Sequence, residues 1–276
     1  MQKILIVIGF LIVMIVIMIF FIQPRMFFFP NHDIEAYTKL SNDSRFEEIK
    51  INYGKNQYLY GWFKHNTNNT PAPLIIFFGG NAQSSAETLW YLKDDVARYY
   101  EGYNFLMMDY PGYGLSTGRP NDRRMFASAL TIYDYIINRE DVDENNIVVM
   151  GNSIGSGVAV HLAAKREING LILIAPYDRG LSLYNSVLNI FHGPLTILAR
   201  YKFDAATYAK EVDVAPLIIA SYDDEIINYQ LSKNLAEHFD NIYKLFMLNN
   251  FGHNHMLTSR IVLEEINKYL LMLREI

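Results

Sequence analysis

The sequence predicts an α/β fold built on one mostly parallel sheet with helices on both faces. Three observations carry that expectation. Short apolar runs alternate with segments of helical periodicity, the runs have strand rather than helix length, and a glycine-bracketed serine stands where one run passes into a helix. The length, 276 residues, suits one large α/β domain. Lys and Arg total 24 against 29 Asp and Glu, so the net charge is -5, and with no basic block there is no electrostatic footprint for nucleic acid. Cysteine is absent, which removes disulfides, zinc ribbons, thiol nucleophiles and S-palmitoylation of this chain.

The first element is a run from Ile4 to Ile22, 19 residues without a charged or hydrogen-bonding side chain. At about 1.5 Å per residue it spans about 28 Å, enough to cross a bilayer. A cleaved secretory signal needs a shorter apolar stretch and a small-x-small cleavage site, whereas the exit here reads Phe21-Ile22-Gln23-Pro24-Arg25-Met26-Phe27. A soluble core helix of this length is not apolar on every face. An uncleaved membrane anchor over 1–30 is therefore expected. Lys3 on one side and Arg25 with Lys39 on the other nearly balance the positive-inside signal, and the short leading tail favours an inside N-terminus with the large domain on the non-cytoplasmic side. Phe27 to Pro30 and Tyr37 read as an interfacial aromatic patch or as a docked linker.

Residues 31–276 form the expected single domain. Phe46 to Asn52 and Tyr58 to His65 alternate around Gly54-Lys55-Asn56 as an antiparallel hairpin. Six apolar runs follow, at Leu74 to Phe78, Phe105 to Met108, Ile147 to Met150, Leu171 to Ile174, Leu217 to Ala220 and Leu245 to Leu248, which with the hairpin make eight strands. Helical patterns at 84–100, 123–139, 153–166, 228–239 and 258–273 lie around them. Residues 179–215 form a short cap that carries Leu181, Leu183, Tyr184, Val187, Leu188, Ile190, Phe191, Leu195, Ile197 and Leu198.

Catalytic groups in such sheets gather at the carboxyl ends of the strands. After Ile147 to Met150 stands Gly151-Asn152-Ser153-Ile154-Gly155, a Gly-x-Ser-x-Gly pattern that this composition yields by chance roughly 0.04 times. The glycines are needed because any side chain two residues from the serine would strike the neighbouring strand or helix in so tight a turn. A serine hydroxyl needs a histidine base and a carboxylate to orient it, in chain order Ser, acid, His. Ser221-Tyr222-Asp223-Asp224-Glu225 follows one strand, and Gly252-His253-Asn254-His255 follows the last. His32, His65, His161, His192 and His238 lie earlier or within helical or hairpin patterns, leaving His253 and His255, of which His253 follows a permissive glycine. The His-x-His pair has no further ligands at a recognisable metal spacing, and Gly112, Gly114 and Gly118 read as turn glycines, so neither metal nor nucleotide cofactor is expected.

These segments together resemble the α/β-hydrolase superfamily, in particular its membrane-anchored branch, similar to serine aminopeptidases and monoacylglycerol lipases. The resemblance covers roughly residues 26–275. Where the family has His-Gly-Asn-Ala this chain has Gly79-Gly80-Asn81-Ala82, and where it has Asp-Tyr-Arg-Gly-Tyr-Gly-x-Ser-x-Gly this chain runs from Asp109-Tyr110-Pro111-Gly112-Tyr113-Gly114 to Gly118. The family's acid loop, Gly-x-x-Asp-x-x-Val-Pro, falls on Ser221 to Asn228 with Asp224 at the acid and Asp223 as its neighbour. Gly79 replaces a family histidine, and Ser221 and Asn228 replace a glycine and a proline. The resemblance implies a Ser153–Asp224–His253 triad with backbone oxyanion donors at Asn81 and, from the elbow geometry, Ile154. It implies a serine hydrolase of carboxylic esters or thioesters acting on an acyl small molecule, a lipid or a lipidated protein. A serine peptidase of aminopeptidase type and a non-catalytic membrane scaffold are the competing expectations.

Overall fold

The computed structural model describes residues 2–66, 70–187 and 189–275. Helix α1 (Gln2–Phe27) is 26 residues long with a mean hydropathy of 3.5 in its most apolar window, none of which is buried, so it is long and apolar enough to cross a membrane. It does not end in a free linker. Gln23 is buried, and Phe27 and Phe28 pack in the domain core against Tyr184, Tyr201 and Phe203, as a docked segment rather than an exposed patch. Tyr37, grouped by sequence with the interfacial aromatics, instead packs on Trp62 with ring centroids 5.0 Å apart.

The remaining elements are α2 (Ile34–Ser41), β1 (Phe46–Asn52), β2 (Tyr58–Lys64), β3 (Ala72–Phe78), α3 (Ser85–Tyr99), β4 (Asn104–Met108), α4 (Asp122–Ile136) and β5 (Val142–Asn152). They continue with α5 (Ile154–Ala163), β6 (Gly170–Ile174), α6 (Gly180–Val187), α7 (Ala205–Ala209), β7 (Leu217–Ser221), α8 (Tyr229–Ala236), β8 (Lys244–Leu248) and α9 (Arg260–Leu273). The eight strands form one sheet in the order β1-β2-β4-β3-β5-β6-β7-β8, in which only β2 runs against its neighbours. Strands β4, β6 and β7 are buried along their whole length, as expected of a parallel sheet covered on both faces. One core lies under α2, α3 and α9, the other under α4, α5, α8 and the cap.

The apolar runs mark each strand, but β5 begins five residues before Ile147. Its first residues are the buried Val142, which pairs with Ala72 across an irregularity in the β3 ladder, and the polar Asp143 to Asn146, which carry no apolar run because ladder bonds need backbone rather than apolar side chains. Helix α2 has no counterpart in the periodicity, since eight residues offer little pattern; Asp33 caps it by accepting the Ala36 N–H at 3.0 Å. The cap comprises α6, a 3₁₀ turn (Gly193–Leu198) and α7; Leu188, counted with its apolar residues, lies outside the described residues.

The Asp109 loop at the end of β4 is held by a buried carboxylate. One Asp109 oxygen accepts the Ser85 N–H at 2.6 Å at the start of α3, and the Asp109 carbonyl accepts the Ser116 hydroxyl at 2.8 Å. Gly114 lies against the same carboxylate at φ 50, where a Cβ would collide with Asp109. Burial pushes the Asp109 carboxyl up to about 6, above its unfolded range, although the Ser85 N–H pulls it down. The native state therefore binds this proton more tightly than the unfolded chain, so stability falls as pH rises from about 4 to about 6. Asp109→Asn removes that titration. The stability of the wild type relative to Asp109→Asn should rise by about 2 kcal/mol between pH 7 and pH 4, read from unfolding in detergent.

Candidate active site

The serine turn is strained and the surrounding sequence holds it so. Ser153 has φ 52 and ψ -121, a backbone conformation costly for any residue with a Cβ. Its N–H donates to the Ile174 carbonyl at the end of β6 at 2.9 Å, and its own carbonyl accepts from the Ser156 N–H at 2.9 Å and the Ser156 hydroxyl at 2.6 Å. A Cβ on Gly155 would strike the Phe78 carbonyl and come within 2.5 Å of the Gly79 carbonyl, while one on Gly151 would come within 2.7 Å of the Ser156 Cα. Gly155 thus lets α5 seat directly against the end of β3, and Gly151 lets the same helix fold back closely on β5. Ser153 stands in the N-cap position of α5 but makes no capping hydrogen bond, so its hydroxyl is not consumed by the helix that it begins.

Past β7, the Asp224 side chain is 2% exposed and has both oxygens engaged. Oδ1 accepts the N–H groups of Ile226 at 2.9 Å and Ile227 at 2.8 Å, and Oδ2 lies 2.8 Å from His253 Nδ1. The neighbouring Asp223 has a different task, accepting the Asn250 N–H at 2.6 Å and so joining the loops after β7 and β8. His253 is buried, whereas His255 two residues on is exposed. With Nδ1 facing a carboxylate, the imidazole presents Nε2 away from Asp224. Among the other histidines, His161 is packed flat on Phe126 at 4.3 Å, and burial lowers its pKa to about 4, as for a neutral core side chain.

Ser153, Ile154, Asn81 and His253 line one cavity of about 320 Å³, together with Gly80, Asn152 and Gln83 on the polar side and Met26, Phe27, Phe29, Leu183, Ile226 and Ile227 on the apolar side. The carboxylate of Asp224 stands behind His253, outside the lining. Ile154 opens α5, so its N–H belongs to the positive end of that helix. No group of three or more metal-ligating side chains occurs among the described residues.

The two departures from the family pattern have local structural explanations. At Gly79 a Cβ would come within 2.6 Å of the Met107 methyl and 3.3 Å of Gln83 Oε1, so those side chains fill the place of the missing imidazole. Ser221 accepts the Asp223 N–H at 3.2 Å, and Asn228 caps α8 by accepting the Gln230 N–H at 2.9 Å.

Several residues of the site had no sequence signal. Gln83 Oε1 accepts the Gly80 N–H at 2.5 Å and the Asn152 amide at 3.3 Å, tying the β3 loop to the serine turn. Glu225 Oε2 accepts the His253 N–H at 2.9 Å, a bond that holds its carboxyl below the ordinary range. The Asn81 side chain serves the fold rather than the cavity. Its amide donates to the Phe27 carbonyl at 2.7 Å, and its oxygen accepts the Phe29 N–H at 3.0 Å and the Tyr113 hydroxyl at 2.7 Å. Asn81 therefore clamps the end of α1 onto the site. Asn81→Ala keeps the backbone N–H but strands these partners, and should lower stability by about 2 to 3 kcal/mol, measured as a drop in thermal midpoint in detergent.

A family model described as alpha/beta hydrolase fold matches residues 73–215. An uncharacterized protein of Mycobacterium tuberculosis is 26% identical over 254 residues, covering 90% of this chain and 87% of that protein. The alpha/beta hydrolase domain-containing protein aho-3 of Caenorhabditis elegans is 24% identical over 196 residues, covering 71% of this chain and 57% of its own length. Among solved structures, the Pyrococcus furiosus esterase Pf2001 superposes with a TM-score of 0.69 at 16% identity, over 89% of this chain and 98% of that one.

Proposed function

The chain belongs to the α/β-hydrolase family, and on that premise we propose that it is a membrane-anchored serine hydrolase that cleaves carboxylic ester or thioester bonds of an acyl substrate. The observation that carries this reading is one cavity lined by a strained, uncapped serine and by a buried histidine whose other ring nitrogen faces a fully engaged carboxylate. The esterase fold of the Pyrococcus furiosus neighbour agrees with ester chemistry.

In this reading Ser153 Oγ attacks the acyl carbonyl while His253 Nε2 takes its proton, and Asp224 holds the imidazole in the required tautomer and stabilises its charged form. The tetrahedral oxyanion is received by the N–H groups of Ile154 and Asn81. Collapse expels the alcohol or thiol, which leaves with the proton from His253. Water then attacks the acyl-enzyme by the same route and regenerates Ser153. The apolar half of the cavity, from Met26, Phe27, Leu183 and Ile226, suits an acyl chain of a small molecule, a lipid or a lipidated protein. The enzyme works with its domain on the non-cytoplasmic side, held there by α1.

A fluorescent fluorophosphonate should label the detergent-solubilised wild type and neither Ser153→Ala nor His253→Ala. Absence of labelling in folded wild type would favour a scaffold instead. Asp224→Asn should reduce kcat on a short-acyl nitrophenyl ester by about 10⁴-fold, and Asp223→Asn by less than about tenfold, since only the first carboxylate sets the tautomer. The side of the membrane is read separately: with no native cysteine in the chain, Asn145→Cys should react with an impermeant maleimide added outside intact cells.

A further inference from the structure

The cap carries an apolar edge that the fold leaves uncovered. Ile197 is 87% exposed, Leu195 50% and Ile190 37%, and residues 180–199 contain no Asp, Glu, Lys or Arg. Such a stretch on a water-facing surface gains nothing from its exposure. Its position gives the reason. The 3₁₀ turn Gly193–Leu198 is fastened to α1 through the buried Gln23, whose amide donates to the Leu198 carbonyl at 2.9 Å and whose oxygen accepts the Arg200 N–H at 2.9 Å.

From that fastening the turn runs along α1 toward the N-terminal, apolar part of the helix. Ile197 and Leu198 share a hollow of about 240 Å³ with Val16, Ile17, Phe20 and Phe21. Val16 lies seven residues before Gln23, about 10 Å up the helix axis at 1.5 Å per residue. That matches the depth of about 5 to 10 Å to which interfacial apolar elements enter the boundary between headgroups and acyl chains. Arg200 also lines that hollow, its guanidinium 4.6 Å from the Phe20 ring, and Arg25 is exposed, so the fastening is flanked by two cations whose long side chains can reach out to lipid phosphates.

We propose that the cap segment 190–199 is a second membrane contact, inserted beside α1 into the leaflet that α1 enters, with the acyl region of the lipid as its partner. The proposal rests on the reading of α1 as a membrane anchor. It adds a substrate route to that reading. Met26 and Phe27 form part of the wall of the Ser153 cavity and also line the hollow between α1 and the cap, beside Tyr184 and Phe191. The catalytic cavity therefore shares a wall with the hollow between α1 and the cap, on which Phe191 at the start of the inserted edge also lies, and a lipid-borne acyl group reaches it from the leaflet rather than from bulk water.

The absence of cysteine makes the test direct. Nitroxide labels are placed singly in the full chain by Leu195→Cys, Ile197→Cys, Val13→Cys and Asn145→Cys, all at exposed positions, with unchanged thermal unfolding as the check on folding. The proteins are reconstituted in vesicles of phosphatidylcholine and phosphatidylglycerol, and collision with oxygen is compared with collision with a nickel chelate by power saturation. Labels at 195 and 197 should favour oxygen over the chelate by at least about threefold relative to position 145, as expected for a site below the headgroups. If 195 and 197 instead behave as 145 while 13 reports lipid, the cap contact is overturned and the anchor stands. If 13 also behaves as 145, the anchor reading fails and this proposal with it.

Discussion

The left-handed backbone of Ser153 is the constraint around which the rest of the molecule is arranged. A residue with a Cβ stays at φ 52 only if its neighbours leave no alternative. Here the hold comes from both sides: the end of β6 takes the Ser153 N–H, and Ser156 takes its carbonyl. The close approach of α5 to the Phe78 and Gly79 carbonyls then brings the β3 loop beside the serine turn, which is why Gly80 and Asn81 share its cavity. The cost of the strained turn is thus spread through the central strands, where burial is most complete and local opening is least favourable.

A second organising point is Asn81. It connects three parts of the chain that are distant in sequence: the exit of α1 at Phe27 and Phe29, the β3 loop, and Tyr113 beyond β4. Phe27 reaches into both the aromatic cluster of the cap and the catalytic cavity. The end of α1, the cap and the Ser153 cavity are therefore packed as one unit.

Much of this was legible in the sequence. Run length marked the six parallel strands β3 to β8 by their continuous apolar stretches and alternation marked the β1–β2 hairpin, and the serine turn was legible because sterics permit only glycine at positions 151 and 155. The pairing of Asp224 with His253 followed from chain order and the acid-loop pattern. What escaped the sequence depends on contacts between remote residues. Gln23 looks like no more than the polar exit of an apolar run until its two partners at 198 and 200 are seen, and Gln83 and Glu225 act on backbone N–H groups that have no residue identity to match. The polar start of β5 and the short α2 escaped because ladder bonding and a single capping aspartate leave almost no periodic trace.

The buried end of α1 has a consequence for how the enzyme searches. A catalytic domain on a flexible tether sweeps a hemisphere and samples bonds at every distance its tether allows. With Gln23, Phe27 and Phe28 locked into the fold, α1 in a bilayer would leave no such slack, and the Ser153 hydroxyl would ride at one fixed height while the protein diffuses laterally. A scissile bond would then have to come to that height. Discrimination among substrates would then act as a ruler, by how far from the membrane midplane each molecule carries its reactive bond, in addition to what shape it presents to the cavity.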